Sequence, residues 1–175
     1  MRLMLMKCGI FLCLFVSCAC GYAKNFSYID IVNNISAAIQ TEKISEESID
    51  PPSVAIGGIW RDAKICGKEE RYICIRSEVF NFAVPRADVF PTMWSDGGFL
   101  YKITTRDKFY LLGVKLDVVY IQSKQRDLKY TFIYSRTNGL VAFKVGVDSD
   151  CALYISQDAI GFGNLEQGKA GLIPP

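Results

Sequence analysis

Asp148, Asp150 and Asp158 are close together in the sequence, and carboxylate oxygens are the ligands that hard cations such as Ca²⁺ prefer. A calcium loop also needs a central glycine and a terminal glutamate, and the spacing here provides neither. Asp148-Ser149-Asp150 is typical of a solvated turn between strands. We therefore predict no metal site.

The stretch GNLEQGKA, from Gly163 to Ala170, matches a phosphate-binding P-loop except at its last position. Ala170 stands where a serine or threonine should hold Mg²⁺, and Gly171 and Pro174 follow where a helix should begin. The match does not indicate a nucleotide site, and we predict no cofactor.

The chain contains no histidine, which removes the commonest general base and the commonest zinc ligand. Ser-His-Asp and Cys-His catalysis are therefore excluded. Asp88 and Asp96 could serve as acid and base, but nothing in the sequence fixes their separation. We expect a protein that is not an enzyme, with a histidine-free hydrolase or lyase as a minor alternative.

The segment from Arg86 to Gly98 gathers aromatic, cationic and acidic side chains without strand or helix periodicity. Loops on a rigid sheet commonly carry sites, and tryptophan and arginine are enriched at binding hot spots. We expect this loop to bind a protein partner, with Trp94 as its anchor. The residues assigned to it are Arg86, Phe90, Trp94 and Asp96. The alternative is that its aromatic rings close one end of the core.

Cys66 and Cys74 flank a short polar stretch, and a three-residue hairpin loop at 69–71 sets them directly opposite each other. Opposed Cβ atoms in a hairpin are close enough for a disulfide bond, which we predict for this pair. The alternative is two unrelated buried thiols. Cys151 is expected to be a buried apolar residue outside this bond, with a bond to Cys66 or Cys74 as the alternative.

The N-terminus reads as a secretory signal peptide of residues 1–23. Arg2 and Lys7 precede the apolar run from Cys8 to Cys20, and Gly21-Tyr22-Ala23 supplies the small residues of a cleavage site. Leu14 to Cys18 also resembles a bacterial lipobox, which would place a lipid on Cys18, and an uncleaved anchor is a third alternative. We expect a periplasmic or extracellular protein, or a membrane-anchored lipoprotein.

Cleavage after Ala23 leaves 18 basic and 18 acidic residues, because the 20 basic residues lose Arg2 and Lys7. A neutral chain without a run of lysine or arginine lacks the clustered cations that bind nucleic acid. We therefore exclude nucleic acid as a partner, and we expect membrane binding only through a lipid on Cys18.

A helix and an antiparallel sheet are predicted to position these residues. Apolar residues from Ser27 to about Thr41 recur at helical spacing, and Ser27 with Asp30 resembles a capping box, so we predict an N-terminal helix packed on a sheet. The chain from Gly98 to Val147 is predicted to form a four-stranded antiparallel meander with one buried face. Its turns are placed at Arg106-Asp107, Ser123–Gln125 and Asn138-Gly139.

Further strands are predicted on both sides of this meander. The segments 54–66 and 71–84 form the hairpin that carries the two cysteines, and 152–156 and 159–162 form two final strands. Residues 163–175 are predicted to be a flexible tail. The fold class is thus mainly β (α+β): one domain, 24–175, with six to eight strands in an open sheet or a barrel.

Gly58-Ile59-Trp60 resembles the Gly-x-Trp at the start of the first strand in lipocalins, which are exported barrels of similar length that carry apolar ligands. The later Thr-Asp-Tyr signature of that family is absent. The resemblance implies a barrel with a buried Trp60 and a ligand inside.

From these features we expect an exported, non-enzymatic binding protein with a protein partner, such as an inhibitor or immunity protein of the cell envelope. A lipocalin-like carrier of a small apolar ligand is the alternative, and a structural envelope component is a third.

We predict that the mature protein begins at Lys24, because the small residues before it suit a signal peptidase. The intact mass of the natively exported product tests this prediction. A mass that includes a diacylglycerol group on Cys18 would show lipoprotein processing instead.

Overall fold

The computed structural model describes residues 25–41, 43–44, 49–147 and 150–164, and within these ranges the chain consists of strands and turns, without a helix. The strands are β1 (Asn25–Asp30), β2 (Ile35–Gln40), β3 (Lys43–Ile44), β4 (Ile49–Asp50), β5 (Ser53–Ile56), β6 (Ile59–Ile65), β7 (Tyr72–Ser77), β8 (Asn81–Pro85), β9 (Met93–Asp96), β10 (Phe99–Leu111), β11 (Val114–Gln125), β12 (Leu128–Ser135), β13 (Gly139–Val147) and β14 (Asp150–Ser156).

Twelve strands form one antiparallel sheet in the order β8-β7-β6-β5-β2-β1-β14-β13-β12-β11-β10-β9, and β3 pairs only with β4. The sheet curls into a nearly closed barrel with β8 and β9 at its two edges. The mainly β, antiparallel meander is therefore confirmed. The predicted count of six to eight strands was too low, because β1 and β2 were assigned to a helix and the reversals at Gly57-Gly58 and Gly97-Gly98 were not recognised as breaks between strands.

The predicted N-terminal helix is wrong, since its residues form the hairpin β1–β2. The reversal is made by Asp30, whose carboxylate accepts hydrogen bonds from the Val32 amide at 3.0 Å and from Asn33 Nδ2 at 2.7 Å. Asn34 then adopts a φ of 55°, a conformation that asparagine tolerates. The apparent helical periodicity arose because β-branched residues of two strands and their turn happened to repeat at similar spacing.

The first turn of the predicted meander is also misplaced. β10 continues through Arg106 and Asp107, and the chain reverses at Leu112-Gly113, whose φ values are 50° and 79°. Both values are positive, as a two-residue hairpin turn of type I′ requires. Leucine is rare at a turn position with positive φ, so the sequence Leu112-Gly113 did not predict a turn.

The β11–β12 turn lies after Gln125, not at 123–125, and this changes which face of β11 is buried. Tyr130 is opposite Ser123 instead of Val118, a difference of five positions. Because an odd shift turns a strand over, Ile121 and not Val118 faces the main core. Val118 belongs to a second, smaller apolar cluster on the outer face.

The hairpin at Asn138-Gly139 is confirmed as a reversal, with a different register. Phe132 is opposite Phe143 instead of Val145, an even shift that leaves the predicted buried face unchanged. A Cβ atom on Gly139, whose φ is 79°, would lie 2.4 Å from the carbonyl oxygen of Gly161, so this position requires glycine.

The register of the cysteine hairpin matches its prediction, but each predicted segment divides into two paired strands, because 54–66 reverses at Gly57-Gly58 and 71–84 reverses at 78–80. Ile65 is opposite Ile75, which continues the register to Cys66 and Cys74, and these two residues form a disulfide bond with a Cα–Cα distance of 5.1 Å. Cys151 lies outside this bond and is exposed, so its predicted burial is wrong. It is the second residue of β14, at the end of the strand.

At the C-terminal side, β14 confirms the strand predicted at 152–156. The second strand, predicted at 159–162, is wrong, because only an isolated bridge from Phe162 to Leu140 forms there. The signal peptide, Cys18, Lys24, Asp148 and the segment 165–175 lie outside the described residues.

Aromatic rings fill the space that the curled sheet encloses. Phe80 packs edge-on against Phe132 and Phe143, with ring centroids 5.7 and 5.1 Å apart, and Phe82 lies 5.1 Å from Phe132. Every residue of β8 is buried. Because Phe80 precedes the edge strand β8 while Phe132 and Phe143 lie on β12 and β13, these contacts hold the two halves of the sheet together.

The edge strand β8 is joined to β9 and β11 by hydrogen bonds from side chains to its backbone, and not by pairing of strands. Gln125 accepts a hydrogen bond from the Asn81 amide at 3.0 Å and donates one to the Asn81 carbonyl. Trp94 Nε1 donates to the carbonyl of Ala83 at 3.1 Å. These bonds satisfy backbone groups on an edge strand that would otherwise be buried without partners.

The hydroxyl groups of buried tyrosines bond to backbone carbonyls across the core. Tyr28 donates to Leu140 at 3.0 Å, Tyr130 to Val79 at 2.7 Å and Tyr134 to Gly163 at 2.8 Å. Burial raises the pKa of Tyr130 to about 12 and raises the pKa values of Tyr28 and Tyr134 as well.

These pKa values predict unfolding in alkali. A tyrosine pKa near 10 in the unfolded chain, raised in the folded protein, contributes stability that is complete below about pH 10 and is lost as the pH rises towards 12. Tyrosinate absorbance and circular dichroism, recorded together across this range, should show the buried tyrosines ionising as the sheet unfolds. Ionisation of all the tyrosines near pH 10 in a folded protein would contradict the prediction.

Candidate functional site

The segment from Arg86 to Gly98, predicted to be a single binding loop, divides between the core and the surface. Trp94 lies on β9 and is 7% exposed. Its ring stacks on that of Tyr101 at 5.8 Å and 9°. The ring that was expected to anchor a partner is therefore packed inside the barrel.

Asp96 forms a two-pronged ion pair with Arg76, in which Nε and Nη2 donate to the two carboxylate oxygens at 2.9 and 2.6 Å. The Asp96 side chain is 7% exposed, and its hydrogen bonds are the main cause of a raised pKa of Arg76. Paired geometry of this kind is strong and fixes orientation. Asp96 thus links β9 to β7 across the gap in the barrel.

Arg86 is exposed but already engaged with the disulfide hairpin. Its Nε donates to the carbonyl of Glu70 at 3.0 Å and its Nη2 to that of Gly67 at 3.2 Å. The guanidinium therefore holds the turn between Cys66 and Cys74 in place.

Asp88 is exposed at the end of the barrel, whereas Phe90 is buried in the main core at 4% exposure, and Arg136 contacts both residues. Arg136 Nη1 donates to the carbonyls of Ala87, at 2.9 Å, and of Asp88, and Nη2 lies 3.3 Å from the Asp88 carboxylate. Its guanidinium carbon is 5.1 Å from the centre of the Phe90 ring. Sequence reasoning missed Arg136, which lies 46 positions after Phe90 and carries no motif of its own.

Beside Phe90, the pairing of β10 with β11 continues past the ends of the neighbouring strands, and one side of this ribbon, with Leu111 and Leu116, packs in the apolar cluster on the outer face of the sheet. Pairing of β11 with β12 starts at Val119, and pairing of β10 with β9 ends at Lys102, so residues 107–118 pair only with each other within the described chain. We call this two-stranded ribbon the arm. Tyr110, Leu112 and Val114 near its tip are 68%, 66% and 52% exposed.

The arm, the loop at 88–90 and the β12–β13 turn at 134–137 surround an open cleft of about 970 Å³, which we call the mouth cleft. Phe90 forms part of its wall, and Val89, which is 80% exposed, stands at its rim. Of the four residues predicted to bind a partner, only Phe90 lines this cleft.

Four of the seven charged residues that line the mouth cleft form ion pairs. Asp88 is bound to Arg136, and Lys108 forms an ion pair with Asp117 on the arm. Arg106 also lines the cleft and is exposed. Asp88 and Asp96 each have a different arginine partner, so the described structure does not join them as an acid and base pair.

One cluster has the composition of a metal site. The sulfur atoms of Cys66 and Cys74 and a carboxylate oxygen of Glu70 lie within 4.8 Å of one another. The disulfide bond occupies both sulfur atoms, and Glu70 accepts a hydrogen bond from the Gly67 amide at 3.0 Å. The oxidised hairpin therefore offers no thiolate ligands.

Trp60, which the lipocalin resemblance would bury, is 50% exposed on β6.

Comparison of the chain with protein-family models, curated proteins and solved structures finds no match. Among the described residues there is also no helix long and apolar enough to cross a membrane.

Replacement of Trp94 by alanine should lower the free energy of unfolding by about 3 to 5 kcal/mol, because the ring is buried and its N–H is bonded to Ala83. Trp60→Ala is the control, and because that side chain is half-exposed its loss should cost less than about 1 kcal/mol. Thermal unfolding of the two variants measures the difference. An unchanged melting temperature for Trp94→Ala would restore Trp94 as a candidate partner anchor.

Proposed function

We propose that this protein is an exported, non-enzymatic binding protein that recognises another protein through the mouth cleft and the tip of the arm. An inhibitor or immunity protein of the cell envelope fits this description. The observation that supports the proposal most directly is Leu112, a large apolar side chain that is exposed at the arm tip in an unfavourable backbone conformation.

The backbone of Leu112 has a φ of 50°, which costs a residue with a branched side chain about 1 kcal/mol relative to glycine. The side chain is 66% exposed and gains little from packing. Asparagine or glycine would suit the turn better. A residue that is unfavourable for folding and exposed to solvent is consistent with a role in recognition.

The surroundings of Leu112 suit a protein interface. Tyr110 and Val114 extend the apolar surface of the tip, and the Lys115 ammonium lies 5.9 Å from the centre of the Tyr110 ring. Exposed apolar side chains that lie together, next to a concave surface, are characteristic of interaction sites. The neighbouring cleft adds Val89, which is 80% exposed, as a further apolar contact, whereas Phe90 in its wall is buried.

The partner is expected to contact side chains and not to add a strand to the arm. The part of β10 beyond Lys102 does not pair with β9 and is therefore an edge strand. Its exposed residues include Arg106, Asp107 and Lys108. Charged residues on an edge strand discourage pairing with another chain.

A carrier of a small apolar ligand is the alternative, and the barrel form is compatible with it. A carrier needs an internal cavity, whereas the rings of Phe80, Phe82 and Phe132 contact one another across this interior. Fluorescence titration with an apolar probe separates the two functions. Saturable binding with about one probe per chain would favour the carrier.

The decisive variant is Leu112→Asn. It should raise the free energy of unfolding by about 0.5 to 1 kcal/mol, because asparagine tolerates positive φ, and should weaken partner binding by about 2 kcal/mol, the range of a hot-spot residue. The partner is first isolated by crosslinking in native extract and then titrated against the purified variant.

Ile59→Ala provides the control, since Ile59 is 58% exposed on β6, away from the arm. It should leave the affinity for the partner unchanged. Equal affinities of the wild-type chain and the Leu112→Asn variant would show that the arm tip is not the binding surface.

A further inference from the structure

Four lysines from four adjacent strands lie on the outer face of the sheet. Lys102 is on β10, Lys124 on β11, Lys129 on β12 and Lys144 on β13, and all four are exposed. Their sequence neighbours Tyr101, Ser123, Tyr130 and Phe143 are buried, and alternate residues of a strand point to opposite faces. We call this surface the lysine face.

The strand register brings these lysines together. Lys124 is directly opposite Lys129, Gln122 is opposite Lys102, and Thr131 is opposite both Gln122 and Lys144. Two like charges directly opposite each other in a sheet lower stability. The fold thus retains a pair of like charges that does not contribute to its stability.

The chain itself provides little compensation. Within the described residues, the ion pairs involve other cations, and none of them reaches the lysine face. An open cleft of about 560 Å³ on this face is lined by Lys102, Lys124 and Lys129 and by a single carboxylate, that of Asp127.

Large apolar side chains are exposed among the lysines. Leu100 and Val147 line the same cleft and are 54% and 52% exposed. Met93 is directly opposite Lys102 and is 50% exposed. The surface therefore combines cations with apolar groups, as surfaces that bind at a membrane interface do.

We propose that the lysine face binds the surface of an anionic lipid bilayer, in contrast to the expectation from the sequence that a membrane would be bound only through a lipid on Cys18. The lysines neutralise lipid phosphates, and Leu100 and Met93 enter the headgroup region. Lysine is a compact charge on a flexible stem, which suits mobile headgroups, and it is depleted in protein–protein interfaces. These properties favour a bilayer over an acidic protein.

This binding would orient the protein. Lys124 lies six residues from Val118 at the base of the arm, and at roughly 3.3 Å per residue the two are about 20 Å apart along β11. The arm, which packs on the outer face of the same sheet, would then lie beside the bilayer contact at about this distance along the strands. The inference does not depend on the function proposed for the mouth cleft.

Cosedimentation of the natively exported chain with vesicles tests the proposal. Vesicles of phosphatidylcholine with about 30 mol % phosphatidylglycerol should bind the protein, and pure phosphatidylcholine vesicles should not. Binding should be lost in about 0.5 M salt. Lys124→Gln with Lys129→Gln should weaken binding about thirty-fold, since each lysine near such a surface contributes about a factor of five.

The matched control is Lys64→Gln with Lys68→Gln, which removes the same charge from exposed positions on and after β6. It should bind like the wild-type chain. Equal weakening in the two double variants, equal binding to both kinds of vesicle, or no binding to either would overturn the proposal. Lysine-dependent binding to poly-L-glutamate without binding to vesicles would assign the face to an acidic protein.

A second variant separates binding from folding. Lys129→Glu places opposite charges across β11 and β12, so it should raise the melting temperature while it weakens binding to the anionic vesicles. A lower melting temperature together with unchanged vesicle binding would show that the lysines serve the fold alone.

Discussion

The edge-on packing of Phe80 and Phe82 against Phe132 and Phe143 is the contact on which the rest of the structure depends. It joins one end of a twelve-stranded meander to strands near the other end, and so curls the sheet. Aromatic rings bury large areas, and the described part of the chain has no helical layer against which the concave face could pack. The filled interior follows directly, because the rings that close the barrel also occupy it.

Closure in this protein is completed by side chains and not by a final strand pairing. Gln125 and Trp94 bond to the backbone of β8, and the Arg76–Asp96 pair links β7 to β9. This arrangement leaves β10 and β11 free to extend past their shorter neighbours. The arm and the mouth cleft are therefore consequences of unequal strand lengths at one end of the barrel.

The two proposed surfaces lie at opposite ends of the same strands and differ in chemistry. The arm tip exposes the apolar side chains of Tyr110, Leu112 and Val114, which suit contact with a protein. The lysine face keeps its charges unpaired, as expected of a surface that meets mobile anions. A single rigid sheet can hold both, because residues along a strand are separated at a fixed rise per residue.

The sequence by itself determined the β-rich class, the meander, the disulfide bond between Cys66 and Cys74 and the reversal at Asn138-Gly139. Each of these depends on alternation or on turn chemistry within a few residues. Only the tertiary structure decided that β1 and β2 replace a helix, that Trp94 and Asp96 serve the barrel while Arg136 shapes the cleft, and that four separated lysines share one face. Strand register and packing bring distant residues together, and a one-residue change in a turn reverses the face that a strand presents.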